Sequence, residues 1–287
     1  MLFIGGLVFA LLCVFGSFAA SGGALAPLFA SMPFELLTIL GSAIGVFIMS
    51  NSIAALKELP KNLKLVLKGT RYSKQNYLDL LALLYRLLRQ ANTKGMVSLE
   101  NDFETPMEST IFAETPAIQN DAHTRDLICD YLRLISMNLD EGYQLDEVMT
   151  RELKKRLHEE LHMAESLQSL SDALPALGIV AAVLGVIKTM AAISKPPAVL
   201  GEMIGGALVG TFLGVLLAYG VVAPLSAKMK TVVTTDSKYY DIIRTVLVAF
   251  VQGQPPQVCV ELGRKEIPEE FMPGFSEVDS MVADLTR

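Results

Sequence analysis

Charge is scarce in this sequence of 287 residues and unevenly spread: only 19% of positions are Asp, Glu, Lys or Arg, against 52% hydrophobic. That balance excludes a disordered chain and an ordinary soluble domain of this size. Basic residues are not in excess, with 24 against 30 acidic, so a basic nucleic-acid binder is excluded as well. Cysteine is equally sparse. Cys13, Cys129 and Cys259 lie far apart and form no CxxC pair, which argues against a disulfide scaffold and for reduced thiols facing a cytosol. No Walker-type loop, dinucleotide fingerprint, GxSxG or Cys/His nucleophile arrangement occurs. An ATPase or hydrolase is therefore disfavoured, and no cofactor is expected.

What charge there is falls in two blocks. Residues 1–56 carry Glu35 alone, whereas residues 57–170 carry 15 basic and 18 acidic residues. Residues 171–224 carry only Asp172, Lys188, Lys195 and Glu202, and the remaining tail is charged again. The apolar blocks predict four membrane spans at Leu2–Ala20, about Phe34–Leu56, about Leu174–Ile193 and about Met203–Ala227. Each is long enough for a hydrocarbon core about 30 Å thick. Pro27 and Pro33 read as punctuation between the first two, and Pro196 and Pro197 between the last two. A cleaved signal peptide is disfavoured, because no basic region precedes the first span despite the motif Ser17-Phe18-Ala19. Lys57, Lys61, Lys64, Lys68 and Arg71 follow span two, and Lys228 and Lys230 follow span four. By the positive-inside rule the insert and the tail face the cytoplasm.

The expected fold is an all-α membrane protein of four transmembrane helices with a large cytoplasmic helical insert and a cytoplasmic tail. Its parts are residues 1–56, 57–170, 171–227 and 228–287. Within the insert, Ser73 caps a helix over Lys74 to about Asn92, closed by Gly95, with Tyr77, Leu80, Leu81, Leu84, Tyr85 and Leu88 as its apolar stripe. A second helix is expected over His123 to about Asp140. A third, from Asp146 to Leu170, has no proline to stop it before Pro175. The tail continues span four to about Val251, where Gln254-Pro255-Pro256 breaks it.

His158-Glu159-Glu160-Leu161-His162 matches the zincin pattern H-E-x-x-H, which would place two imidazoles on one helix face. Its setting is a solvated, charge-laced helix with no third ligand in view, so no metal site is expected. The membrane half is more informative. Gly206, Gly210 and Gly214, Gly41 and Gly45, and Gly178, Ala181, Ala182 and Gly185 put small residues at the spacing that lets helices approach closely, within the chain or against copies or a partner. Pro175 and Pro224 stand at the inner ends of spans three and four as hinges or as simple boundary prolines. No ionisable group is expected at mid-membrane, with Glu35 read at the outer end of span two and Lys188 near the outer end of span three. An ion path would then need a carboxylate from a partner helix, with Thr211 as the best polar lining.

Three runs carry a resemblance: Tyr77 to Leu88 followed by Gly95-Met-Val-Ser-Leu-Glu100; Leu174-Pro-Ala-Leu-Gly-Ile-Val-Ala-Ala; and Val209-Gly-Thr-Phe-Leu-Gly-Val-Leu-Leu-Ala-Tyr-Gly. Together they resemble the MotA family of flagellar stator subunits over nearly the whole chain, in its proton-driven enterobacterial form, with a lateral-flagellum stator also in range. The resemblance implies a pentamer around two copies of a MotB-like subunit in the bacterial inner membrane. That partner supplies the proton-accepting aspartate, H+ is the transported ion, and the insert acts on the rotor protein FliG. It implies that Pro175 and Pro224 couple protonation to movement, that Thr211 faces the ion path, and that Ala182 replaces the threonine of sodium-driven relatives. Glu100 matches a rotor-engaging charge. Its basic companion falls at Asn92, a departure that leaves Arg89 or Lys94 to supply the cation. The competing readings are a TolQ/ExbB-like energiser, a passive membrane scaffold, and a metalloprotease.

Overall fold

The computed structural model describes residues 2–137, 139 and 141–286. Its elements are α1 (Leu2–Ala20), α2 (Leu25–Ser50), α3 (Ile53–Lys68), α4 (Lys74–Lys94), a 3-10 turn (Met96–Leu99), α5 (Glu100–Glu104), α6 (Thr110–Ala113), α7 (Pro116–Gln119), α8 (Ala122–Ser136), α9 (Gly142–Met190), α10 (Pro197–Leu217), a π-helical turn (Ala218–Val222), α11 (Ala223–Val251), α12 (Pro256–Lys265) and α13 (Phe275–Thr286). No strand occurs among the described residues. Four helical stretches are long and apolar enough to cross a membrane: α1, α2, α9, and the continuous run from Pro197 to Val251.

Two of the expected boundaries are corrected. Span two begins at Leu25 rather than Phe34 and ends at Ser50, so Pro27 and Pro33 lie inside α2. Pro27 is in the first turn, where a missing N–H loses nothing, and Pro33 forfeits one bond that the rest of the helix tolerates. The lysine-bearing segment after it is a separate helix, α3, which follows the break at Asn51 and Ser52. The third insert helix runs on through Pro175 to Met190 as α9. The expected end of the second insert helix at Asp140 lies outside the described residues; α8 itself closes at Ser136.

The chain divides into two compact units, one of residues 1–69 and 160–232, the other of residues 70–159 and 233–287. The first holds the apolar helices. Its core is narrow: Ile39 and Ala43 of α2, Leu174 and Ala181 of α9, and Val209 and Leu213 of α10, with Ala218 of the π turn. Much of its apolar surface stays uncovered within the chain, including Phe9, Leu12, Phe34, Leu37 and Ile187. An outward-facing apolar surface is what a lipid-exposed or subunit-exposed helix bundle presents.

The second unit has the larger core. Leu80, Leu81, Leu84 and Leu88 of α4 meet Ile128 and Leu132 of α8, Ile242, Val246 and Leu247 of α11, and Val260 of α12. Leu83 and Leu87 are buried too, so α4 is covered beyond a single stripe. The reason is that α12 and α13 also pack on it. A capping box opens α4, in which Asn76 Oδ1 accepts from Ser73 N–H at 2.9 Å. Tyrosines from distant parts of the sequence close the unit. The rings of Tyr72 and Tyr239 stack with centroids 3.7 Å apart, and the hydroxyls of Tyr72 and Tyr240 are 2.9 Å apart. Burial pushes the Tyr72 hydroxyl above the usual phenol range. Cys129 and Cys259 are buried free thiols, pushed up by burial to about 12 and about 11 respectively.

Candidate ion path and coupling site

The small residues of α9 and α10 pack against each other within the chain. A Cβ on Gly214 would stand 2.8 Å from Gly178 Cα and 2.8 Å from the Leu174 carbonyl oxygen. A Cβ on Gly185 would meet the Ala207 side chain at 2.6 Å. These are backbone-to-backbone approaches that only glycine allows. Gly41 and Gly45 of α2 face open space, so their small-residue face is not used inside the chain.

Ala182 lies at this contact, against Gly210, the residue before Thr211. A Cβ on Gly210 would stand 3.1 Å from Ala182 N and 3.0 Å from Ala181 Cβ. Thr211 is the next residue of α10, and both Thr211 and Ala182 are half-buried. The same Gly210 position would be 2.8 Å from Glu35 Oε2. The expectation that Glu35 marks the outer end of span two is therefore corrected. Because α2 begins at Leu25, Glu35 lies ten residues inside the helix, and its carboxylate lies against Gly210 of α10. Glu35 thus lies within a helix long and apolar enough to cross a membrane, and in such a helix an ionisable side chain is costly and commonly functional.

The two prolines are linked by a residue that local sequence reading does not single out. Pro175 lies inside α9 and has no N–H, so the Ser171 carbonyl loses its helical partner. Ser171 is fully buried, and its hydroxyl donates to the Ala218 carbonyl at 3.0 Å. Ala218 opens the π turn, and its carbonyl also accepts from the Ala223 N–H. Pro224 follows directly, and its missing N–H likewise leaves the Gly220 carbonyl without an α-helical bond. Backbone defects on two helices are thus joined by one buried hydrogen bond. π turns interrupt helices at sites that deform.

The expected rotor-facing residues sit in the other unit. Gly95, at φ +82°, closes α4 by donating to the Ala91 carbonyl at 2.9 Å, and the 3-10 turn then leads to Glu100. Gln90 holds this bend by donating to the Ser98 carbonyl at 2.8 Å and to Asp102 at 3.1 Å. Glu104 is taken up by Arg133, whose guanidinium donates to it at 2.7 and 3.1 Å and holds its carboxyl below the usual carboxylate range. Glu100, Asn92 and Lys94 remain exposed. Arg89 is committed elsewhere: it donates to the Leu285 carbonyl and, at 2.9 Å, to the Thr286 carbonyl, at the C-terminal end of α13. Tyr85 adds a hydroxyl contact to Thr286 at 2.9 Å.

His158, Glu159 and His162 are all exposed on α9, and Lys155 lies 3.9 Å from Glu159. Among the described residues no group of three or more His, Cys, Asp or Glu side chains could hold a metal ion.

Comparison with known proteins bears on the whole chain. The family model described as Motility protein A N-terminal matches residues 4–95, and that of the MotA/TolQ/ExbB proton channel family matches residues 107–242. Motility protein A of Salmonella typhimurium is 40% identical over 94% of this chain and 90% of its own length. Motility protein A of Escherichia coli is 40% identical over 98% and 95%. Chemotaxis protein LafT of Vibrio parahaemolyticus is 34% identical over 97% of each. The fold matches a chain of the C. jejuni MotAB structure with a TM-score of 0.73 at 19% identity, covering 95% of this chain and 98% of that one. A chain of the flagellar MotAB stator complex from Bacillus subtilis matches with a TM-score of 0.69 at 18% identity, over 90% and 92%. With relatives of this identity spanning nearly its full length, the chain belongs to the motility protein A family, within the MotA/TolQ/ExbB proton channel family.

Proposed function

We propose that this chain is a stator subunit of a bacterial flagellar motor, forming with a MotB-like partner a channel that converts proton flow into torque. The observation that carries the proposal is the constellation around Gly210 and Ser171: Ala182 and Glu35 against Gly210, with Thr211 the next residue of α10, and two proline defects bridged by a buried hydroxyl. In this reading a partner helix supplies the proton-accepting aspartate. Thr211 and Ala182 line its approach, with Ala182 favouring H+ over sodium. Protonation removes a charge from the path, and the proline–π segment is where the helices yield to that change. Several copies, five in the family pattern, surround two partner chains, and the uncovered apolar faces of α1 and α2 are available for such contacts.

The protein crosses the inner membrane several times, and Lys57, Lys64, Lys68, Lys228 and Lys230 mark the cytoplasmic side. The charged unit then reaches the rotor protein FliG. Glu100 presents the negative charge of that contact and Lys94 the positive one, since Arg89 is engaged by α13. Exposed pairs worth about 0–1 kcal/mol suit a contact remade at each step. Relatives named for motility and chemotaxis cover 94–98% of the chain, which favours this reading over a TolQ/ExbB-like energiser.

The test is swimming of a native background lacking this chain, complemented with wild type, Pro175→Ala or Glu100→Lys, while proton-motive force and sodium are varied separately. Speed that tracks proton-motive force, ignores sodium and is lost in Pro175→Ala is the expected result. Speed that tracks sodium overturns the role given to Ala182. Absence of motility with both subunits verified in the membrane overturns the motor.

A further inference from the structure

Helix α3 has the form of a membrane-surface binding element. Lys57, Lys61, Lys64 and Lys68 recur at i, i+4, i+7 and i+11, which at 100° per residue confines the four positions to an arc of about 60°. Lys57, Lys64 and Lys68 are exposed. Among the described residues, none of these three forms an ion pair. The opposite face is apolar and turned inward: Val66 is 2% exposed, and Leu56, Leu59 and Leu63 are half-buried. Beside the lysine row the helix shows apolar side chains to the outside, with Ile53 at 73% and Leu67 at 49% exposure. Cations and large aliphatic groups exposed side by side suit a boundary between hydrocarbon and headgroups, where a lysine stem lies along the apolar layer and its ammonium reaches the polar one. The position agrees. Only Asn51 and Ser52 separate α3 from the end of the membrane-crossing helix α2.

We infer that the α3 lysine row is a binding site for the headgroups of anionic phospholipids in the inner leaflet. The inference rests on the membrane reading of α2. A zwitterionic headgroup presents its own ammonium to the row. An anionic one offers net negative charge to a surface whose single acidic residue, Glu58, lies about 100° away from Lys57 around the helix.

The test uses the full-length chain, co-purified with its MotB-like subunit and reconstituted in phosphatidylcholine vesicles containing trace spin-labelled phosphatidylglycerol or spin-labelled phosphatidylcholine. The fraction of label immobilised by the protein is read by electron spin resonance. Wild type is expected to retain the anionic label roughly fivefold better. That preference should collapse towards parity in ~1 M salt, where the Debye length is about 3 Å. The variant K57Q/K61Q/K64Q/K68Q should show parity at any salt, and the corresponding Lys→Arg variant should keep the preference. Equal retention of both labels by wild type, or a preference that survives the Lys→Gln changes, overturns the site. If the Lys→Gln protein does not insert, the salt dependence of wild type decides. The readout needs neither ion flow nor motility, so a chain that selects anionic lipid but never powers a motor refutes the stator reading alone.

Discussion

Gly214 sits where a single methyl group has nowhere to go. The atoms it would meet, Gly178 Cα and the Leu174 carbonyl oxygen, belong to a packed backbone and not to a side chain that could swing aside. Gly214→Ala should therefore destabilise the membrane unit by about 1–3 kcal/mol, the cost of overpacking. Gly45→Ala, into open space, should leave it unchanged or slightly firmer. Thermal melting of the purified chain in detergent separates the two, and equal melting would refute the close α9–α10 approach. Ser171 makes a second residue-scale case. Ser171→Ala removes the hydroxyl from the Ala218 carbonyl but leaves that carbonyl its Ala223 N–H, so the expected loss is about 1 kcal/mol. If the bond matters to coupling, swimming speed falls at unchanged membrane level. A slower motor explained wholly by a lower protein level would make Ser171 merely structural.

At the scale of elements, α13 buries Val278 and Val282 in the core and is tied at both ends by polar contacts. Lys74 reaches Glu277 at 2.7 Å at one end, and Arg89 and Tyr85 hold Leu285 and Thr286 at the other. The hydrogen bond from Lys74 lowers the Glu277 carboxyl below its ordinary value of 4.5. A lowered carboxylate stabilises the docked form above its unfolded value and loses that contribution as pH falls through the folded one. The protection of amides in residues 275–286, relative to their intrinsic exchange rates, should thus fall below about pH 4.5, and in Arg89→Ala at any pH, with Lys94→Ala as wild type. Protection unaffected by Arg89→Ala would show that α13 is held by its apolar face alone.

What could be read in the chain at this scale follows from how local each signal is. The extent of α1 is an unbroken apolar run, and the end of α11 at Val251 is announced by Pro255 and Pro256. The start of α2 was obscured because Pro27 and Pro33 resemble loop punctuation, although a first-turn proline costs a helix nothing. The lysines of α3 read as a topology signal, and their helical period carried no weight there. Pro175, Pro224, Thr211 and Ala182 stood out chiefly through family resemblance. Ser171 had no signal, since its partner carbonyl lies 47 residues away on another helix. Arg89 carried no sign that a helix nearly two hundred residues later would claim it.

For the molecule as a whole, the charged unit is discontinuous, built from residues 70–159 and 233–287. Its core depends on both pieces, because Leu80, Leu81 and Leu84 of α4 are buried together with Ile242, Val246 and Val260. A fragment of residues 70–159 should therefore lack a cooperative thermal transition, and one should return when residues 233–287 are supplied in trans. A sharp transition in the first fragment alone would show that the insert is self-sufficient. The tyrosine cluster carries the same dependence into biosynthesis. Tyr72 leaves the ribosome long before Tyr239 and Tyr240, its ring and hydroxyl partners. At about 5–20 residues per second the apolar face of α4 waits roughly ten seconds or more for the part of its cover that α11 and α12 supply. In that interval both later membrane-span helices are made, so the charged unit can close only after the apolar unit has been synthesised. A nascent chain stalled before residue 233 presents α4 without the cover of α11, α12 and α13, as a substrate for chaperones and proteases rather than as a half-working part.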